Sequence, residues 1–351
     1  MNPKLKEVLI EKGDCPLVSV IVLNYNGQRS IVECLRSIED QTYPLIETIV
    51  VDNASDDGSP ELVKREFPNF KLMRNSSNLG FAEGNNVGIR ASRGDFILLV
   101  NNDLVLDSEA VSRMVERMSE SGVGILGGVI YYYGGEQKIW AYGGYLDPLS
   151  GMHWHAFQGC ARNERIPNQM KVDYVPGAML MVRRNLLLNV NLLSSYFFLY
   201  GDDIDLACKV RRCGYEVEVI SAAKSYHMVS QSVKALEKKE GGRNELHGFY
   251  MMNKNMFYLY FSQLPFVFAL SSTATQILFI LFETLLFRRR LSYASVKFRA
   301  LGRAFSDLID FRRREEVKLK GTPVHRLPVK TNVTKLLRVA KERGLSRIYY
   351  W

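Results

Sequence analysis

Asn101-Asn102-Asp103 closes the apolar run Phe96-Ile97-Leu98-Leu99-Val100, which delivers a single carboxylate at the carboxyl end of what reads as a buried strand. Open α/β sheets bind their ligands at such ends. Further along, Tyr200-Gly201-Asp202-Asp203-Ile204-Asp205 gathers more acids, and His227 ends another apolar stretch. A lone carboxylate, an acidic cluster and an imidazole, each at a strand or loop edge, point to a metal-assisted transferase site. The plainer reading of Asp202, Asp203 and Asp205 is charge at a helix N-terminus, because Leu206 to Cys213 has a helical pattern and acids favour that end. Both readings stay open for different members of the cluster.

A further carboxylate, Asp52, ends the run Ile46 to Val51 and begins the polar loop Asp52-Asn53-Ala54-Ser55-Asp56-Asp57-Gly58-Ser59. At a strand end it can accept a hydrogen bond from a pyrimidine imide or a ribose hydroxyl; the alternative is an ordinary turn. Gly80, Gly84 and Gly88 would let backbone approach a diphosphate, or permit close packing of a helix. They do not form G-x-G-x-x-G after the first strand, which disfavours a nicotinamide enzyme.

The elements that must hold these groups follow from periodicity. Leu17 to Leu23 is a β-branched run ending in Asn24-Tyr25-Asn26-Gly27, and Ser30 to Glu39 has helical spacing through Ile31, Leu35 and Ile38. Ile46 to Val51 is a strand, Pro60 starts a helix, Lys71 to Met73 is a third strand, and Ala82 to Arg90 lies on a helix leading to the strand before Asp103. This alternation implies an α/β fold with a doubly wound, mostly parallel sheet whose loops gather along one edge. Trp140 to Trp154 is rich in glycine and aromatics, fit either for sugar stacking or for covering a sheet edge. His153 and His155, which flank Trp154, read as structural or surface residues.

Charge is divided unevenly. Residues 288 to 351 carry 18 Lys and Arg against 5 Asp and Glu, a net of +13, whereas residues 1 to 287 net −4. Just before this tail, Met256 to Phe287 holds one formal charge, Glu283, in 32 residues, interrupted by Pro265 and Ser271-Ser272-Thr273. The length would span a bilayer. With Arg288-Arg289-Arg290 on the same side as the preceding domain, an in-plane or re-entrant helical hairpin is favoured, against helices packed on the core or on a second subunit. Met1 to Asp14 lacks the apolar core of a signal peptide, and Cys15, Cys34, Cys160, Cys208 and Cys213 offer neither a CxxC pair nor an even framework, so a reduced cytoplasmic setting is expected.

Four ordered blocks, Val18 to Asn26, Val50 to Ser59, Asn78 to Gly88 and Leu98 to Asp103, followed by Asp173 to Met181 and Phe198 to Leu206, together resemble the inverting family 2 glycosyltransferases of GT-A (Rossmann-like) fold, especially their rhamnosyltransferase-like branch. The resemblance covers about residues 16 to 235. It implies that Asn24, Asn26, Asp52, Asn53, Ser55, Asn78, Gly80, Asn85, Asn102 and Asp103 bind a nucleotide-sugar donor. It also implies that Asp103 and His227 hold Mg²⁺ or Mn²⁺, and that Asp203, within the cluster Asp202, Asp203 and Asp205, is the general base. The expected layout is an extension over 1–15, a GT-A domain over 16–235 with a nucleotide-sugar half (16–103) and an acceptor half (104–235), apolar membrane-associating helices over 236–290, and a basic tail over 291–351.

The expected enzyme is therefore an inverting glycosyltransferase. It would move a sugar from dTDP-rhamnose or a UDP-hexose to a glycan or polyprenyl-linked acceptor, against an anionic membrane on the cytoplasmic face of the plasma membrane, without nucleic acid. A sugar-phosphate nucleotidyltransferase would share the sheet but needs a Gly-rich basic loop after the first strand, where this chain has Asn24-Tyr25-Asn26-Gly27. A noncatalytic nucleotide-sugar-binding protein would keep the fold and lose the acids.

Overall fold

The computed structural model describes residues 15–134, 138–228, 244–286 and 295–307. The expected N-terminal extension, the boundary at 235 and almost all of the basic tail lie outside these residues.

The first strands and helices fall where the periodicity places them: β1 (Val18–Asn24), α1 (Ile31–Glu39), β2 (Ile46–Asp52), α2 (Ser59–Glu66), β3 (Lys71–Arg74), α3 (Gly80–Ala91) and β4 (Phe96–Asn101). β1 pairs in parallel with both β2 and β4, and β2 with β3, which gives the doubly wound half. β1 and β4 at its centre are buried along almost their whole length because helices cover both faces, whereas β3 is the edge strand and exposes Lys71 and Arg74. α1, for example, buries Ile31, Cys34, Leu35 and Ile38 along one stripe.

The rest of the chain extends the same sheet. β5 (Leu104–Leu106), α4 (Ala110–Ser119), β6 (Val123–Tyr132), the short β7 (Ile139–Ala141), β8 (Gly144–Leu146), β9 (His153–His155) and β10 (Gln169–Lys171) are followed by β11 (Met179–Arg183), α5 (Arg184–Asn189), α6 (Asp202–Arg212) and β12 (Glu216–His227). The order across the described sheet is β10-β12-β6-β11-β4-β1-β2-β3, with β5 on β12 and β7 on β6. β11 runs antiparallel to both β4 and β6. The expected halves at 103/104 are thus one continuous sheet, because β11 bridges them by returning to β4.

Two further helices, α7 (Asn244–Gln263) and α8 (Phe266–Leu286), are separated at Leu264-Pro265, and a final helix α9 spans 295–307. The two helices of the expected membrane-associating segment are placed differently. Met256, Phe257, Tyr258, Leu259, Tyr260 and Phe261 of α7 are buried in the main core beside Phe197 and Ile204, so the first part of the apolar run is enzyme interior. Among the described residues no helix is long and apolar enough to cross a membrane. The Trp140–Trp154 segment likewise packs: Tyr142, Tyr145 and Trp154 are buried, and Trp140 sits edge-on between His155 and His227. Burial holds the imidazole of His155 down at about 3, which leaves it a neutral packing residue, as its reading as structural implied.

Candidate active site

Parallel pairing puts the ends of β1, β2 and β4 side by side, with Asn24 opposite Asp52 and Leu23 opposite Asn101. Asn24 ties these ends together. Its fully buried amide donates to Asp52 Oδ1 (3.0 Å) and Ser59 Oγ (2.8 Å), and its Oδ1 accepts from Asn102 Nδ2 (3.0 Å). Gly27 is required beside it, because a Cβ there would stand 2.2 Å from Asn102 Nδ2 and 2.4 Å from Asn24 Oδ1. Asp52 Oδ2 accepts from the Ser55 amide (3.2 Å) and pairs with Arg74 Nε (3.3 Å).

Several residues expected to touch the donor are spent internally. Asn53, buried, donates to Asn78 Oδ1 (3.1 Å) and Gly80 O (2.9 Å) and accepts from Asn75 Nδ2 (2.8 Å); Asn85 donates to Phe81 O (2.9 Å) in its own helix. Asn53 shapes the loop before α3, and Asn85 is held within the helix. Asn24 and Asp52 are also fully enclosed, so a base would reach Asp52 only as half-exposed Arg74 swings away. Ser55 caps the same web by accepting from Asn26 N (2.9 Å), with Asn26 itself in the left-handed region at φ 52°. Sequence reading missed Arg74, although a basic residue at the end of the strand neighbouring Asp52 was a usable signal.

Asp103 and His227 are brought together by topology. β5, which begins one residue after Asp103, pairs antiparallel with β12 so that Leu104 faces His227. The result is an Asp103 Oδ1 to His227 Nε2 contact of 3.0 Å between two buried side chains. His227 Nδ1 is buried without a hydrogen-bond partner. The hard carboxylate oxygen and the Nε2 that it meets are donors of the kind a divalent cation accepts, while Nδ1 lies on the other side of the ring. Among the described residues no group of at least three His, Cys, Asp or Glu side chains could close a metal cage, so the remaining ligands would have to be substrate phosphate and water. The residues fit a cation carried partly by the substrate.

The acidic cluster resolves into different roles. Gly201, at φ 86°, turns the chain into α6, and the first-turn acids then diverge around the helix. Asp205 is fully buried, paired with Lys209 Nζ (2.8 Å) and accepting from Gln263 Nε2 of α7 (2.6 Å). Its Oδ1 is held by Gln263 and its Oδ2 by the ion pair with Lys209, so in this arrangement the carboxylate serves the contact between α6 and α7. Asp202 is buried with an unpartnered Oδ2, and burial followed by the nearby Asp203 charge pushes its carboxyl well above the usual range. Asp203 is half-buried. It accepts from Ile204 N (2.8 Å) and Gly177 N (3.2 Å), and burial lifts it to about 6, its amide bonds opposing the rise.

Gly177 links this acid to the sheet end: its neighbour Ala178 accepts from Asn101 N (3.0 Å), two residues before Asp103. Phe81 of α3 packs over the same glycine, and the Phe81 amide donates to Phe198 O (2.6 Å). The loop before α3, the end of β4 and Asp203 therefore share one small neighbourhood. Phe198 and Tyr200, exposed aromatics just before Asp202, complete it; Tyr200 holds φ 70° and its carbonyl accepts from buried Asn255 of α7 (2.9 Å). A non-glycine residue held in that conformation is the kind of strain kept at functional sites.

Gly80 makes this approach feasible. It has φ 78°, and a Cβ there would lie 2.4 Å from the Phe198 carbonyl oxygen and 2.6 Å from its ring. Gly80→Ala is expected to lose about 1–3 kcal/mol of stability from the left-handed strain alone, read as a lower urea midpoint, with turnover falling further than the midpoint predicts because the base loop is displaced.

Comparison with known proteins agrees with this geometry. The sequence model described as Glycosyl transferase family 2 matches residues 19–188. Glycosyltransferase AglE of Haloferax volcanii is 31% identical over 122 residues, 33% of this chain and 40% of that protein. N-acetylglucosaminyl-diphospho-decaprenol L-rhamnosyltransferase of Mycobacterium tuberculosis is 22% identical over 237 residues, 62% of this chain and 77% of that protein. The chain thus spans less than half of the AglE length and about three quarters of the rhamnosyltransferase. Among solved structures, the mannosyltransferase PcManGT of Pyrobaculum calidifontis, in complex with GDP-Man and Mn²⁺, aligns at TM-score 0.52 with 17% identity over 95% of this chain and 83% of that one. GalNAc-T7 with UDP, GalNAc and Mn²⁺ aligns at TM-score 0.51 with 15% identity over 61% of this chain and 44% of that one. These likenesses establish the fold: the sheet is that of GT-A glycosyltransferases.

Proposed function

We propose that this chain, whose residues 19–188 match the glycosyl transferase family 2 model, transfers a sugar from a nucleoside diphosphate donor to an acceptor hydroxyl by one inverting displacement. The observation that carries this reading is the separation of roles between a buried carboxylate–imidazole pair at the sheet end and an accessible carboxylate of raised pKa at the start of α6. Asp103 and His227 would hold a divalent cation, which when bound offsets charge on the departing diphosphate. Asp203 would accept the proton of the acceptor hydroxyl. Exposed Phe198 and Tyr200 would offer ring faces to the acceptor sugar, a role the aromatic segment 140–154 is too buried to take.

The mycobacterial relative, an L-rhamnosyltransferase acting on a decaprenyl-diphosphate-linked sugar, supports a rhamnosyl donor and a polyprenyl-diphosphate-linked acceptor as the finer choice, with dTDP-rhamnose as the first donor to test and UDP- and GDP-sugars next, at the cytoplasmic face of the membrane. The deciding experiment follows nucleoside diphosphate release from dTDP-rhamnose, UDP-glucose, UDP-galactose, UDP-N-acetylglucosamine and GDP-mannose with membrane lipid extract, with and without chelator. Release from one donor, lost on chelation, restored by Mn²⁺ and reduced about 10²–10³-fold in Asp103→Ala, is expected from the loss of a group that stabilises transition-state charge. Equal release by Asp103→Ala and the parent protein would remove the assignment.

A further inference from the structure

α8 is apolar on both sides. Ala269 and Ile280 are buried against the protein, and three polar side chains tie the helix down: Ser271 Oγ donates to Leu149 O (2.8 Å), Ser272 Oγ to Pro148 O (2.7 Å) and Gln276 Nε2 to Ser150 O (3.2 Å). Phe266, Val267, Leu270, Leu278 and Leu281 are instead 47–74% exposed. At about 100° per residue these five positions fall within an arc of about 120°, a single apolar stripe from Phe266 to Leu281. Leu149, whose carbonyl accepts the Ser271 bond, is itself exposed and continues the patch. Single exposed hydrophobics are ordinary, but a continuous stripe on a helix that turns its hydroxyls inward marks a surface with an occupant.

Charge decides which occupant. The chain passes from α8 into Arg288-Arg289-Arg290, and residues 288 to 351 net +13, while residues 1 to 287 net −4. A basic flank repels a second copy of the same face and attracts anionic headgroups. An apolar helical face beside concentrated positive charge is the pattern of a helix lying in the membrane interface.

We propose that the outer face of α8 is a docking surface for an anionic phospholipid membrane, with the helix lying in the headgroup plane and its serines and Gln276 anchoring it to loop 148–151. This does not rest on the transferase reading, because binding is read without turnover.

The test is flotation of the full chain with vesicles of phosphatidylcholine alone and of phosphatidylcholine with phosphatidylglycerol, comparing the parent with Leu270→Ser/Leu278→Ser/Leu281→Ser. Each leucine that enters the interface is expected to contribute roughly tenfold to partitioning. The triple variant should therefore lose at least about 100-fold in binding to anionic vesicles, with an unchanged circular-dichroism spectrum and melting curve because these side chains are exposed. The single variant Leu278→Ser, expected near a tenfold loss, repeats the test should the triple variant fold poorly. Undiminished vesicle binding by the variants would assign the interaction to the basic tail alone and overturn the proposal. Absence of parental vesicle binding would also overturn it, as would a parent dimer that the substitutions dissolve.

Discussion

Asp203→Asn is expected to lower acceptor-dependent turnover by about 10²–10⁴-fold, the contribution of a positioned general base, while leaving the protein folded and the donor bound. The expectation rests on accessibility as much as on acidity. Of the acids opening α6, Asp202 and Asp205 are buried and Asp205 is committed to Lys209 and Gln263, whereas Asp203 is half-buried between the Gly177 and Ile204 amides. A base works in its deprotonated form, so turnover should fall with decreasing pH through about 6, the value to which burial raises Asp203. That acid limb should be absent from the residual activity of Asp203→Asn.

The stability sign runs the other way. A carboxyl raised from 3.8 to about 6 in the folded state binds its proton more tightly there than in the unfolded chain. Its protonated form favours folding at low pH, and the advantage is lost as pH rises between those values. The substitution removes this penalty and keeps an oxygen that accepts from a backbone amide. Above pH 6 the variant should therefore unfold no earlier than the parent. A parent rate indifferent to pH between 5 and 8, or a variant retaining full turnover, would sink the assignment of Asp203 as base.

The second large effect is on stability. Lys209 and Asp205 form a buried pair of 2.8 Å inside α6, and Asp205 also accepts from Gln263 of α7, which joins the base helix to α7. A further bond, Arg212 Nη2 to Ser262 O (3.1 Å), closes the same contact. Lys209→Met keeps the length and packing of the stem but leaves a carboxylate buried with Gln263 alone. Breaking a buried pair from one side costs about 3–5 kcal/mol, a large share of the roughly 5–15 kcal/mol that holds a domain folded. Urea unfolding followed by tryptophan fluorescence should show that loss in the midpoint. Lys209→Met/Asp205→Leu, which removes both charges, should recover most of it. A loss below about 1 kcal/mol for Lys209→Met would class the pair with surface salt bridges and detach α7 from the positioning of Asp203.

Sequence by itself determined the doubly wound half, because a strand covered on both faces must be apolar throughout and a helix must repeat its apolar residues along one stripe; Val18–Asn24, Ile31–Glu39 and Phe96–Asn101 obey these periods. It also marked Asp103, Asp203 and His227 as groups to watch, since polar residues closing apolar runs end up at sheet edges. What it left undecided was which polar atoms remain available. Asn53, Asn78 and Asn85 read as donor contacts, and the structure adds hydrogen bonds that link them to Asn75, Gly80 and Phe81. Asp205 read as a catalytic acid, and the structure adds its pairing with Lys209, a turn later, and its bond from Gln263, on another helix. The apolar run from Met256 was divided in the same way: packing against Phe197 and Ile204 took the α7 part into the core, and bonds to loop 148–151 tied one side of α8 to the protein, leaving its stripe outside. Local patterns fix period and direction, but they carry no information about partners distant in sequence. Satisfying every buried polar group and charge is a property of the assembled chain, and only the tertiary structure decides which residues remain free for chemistry.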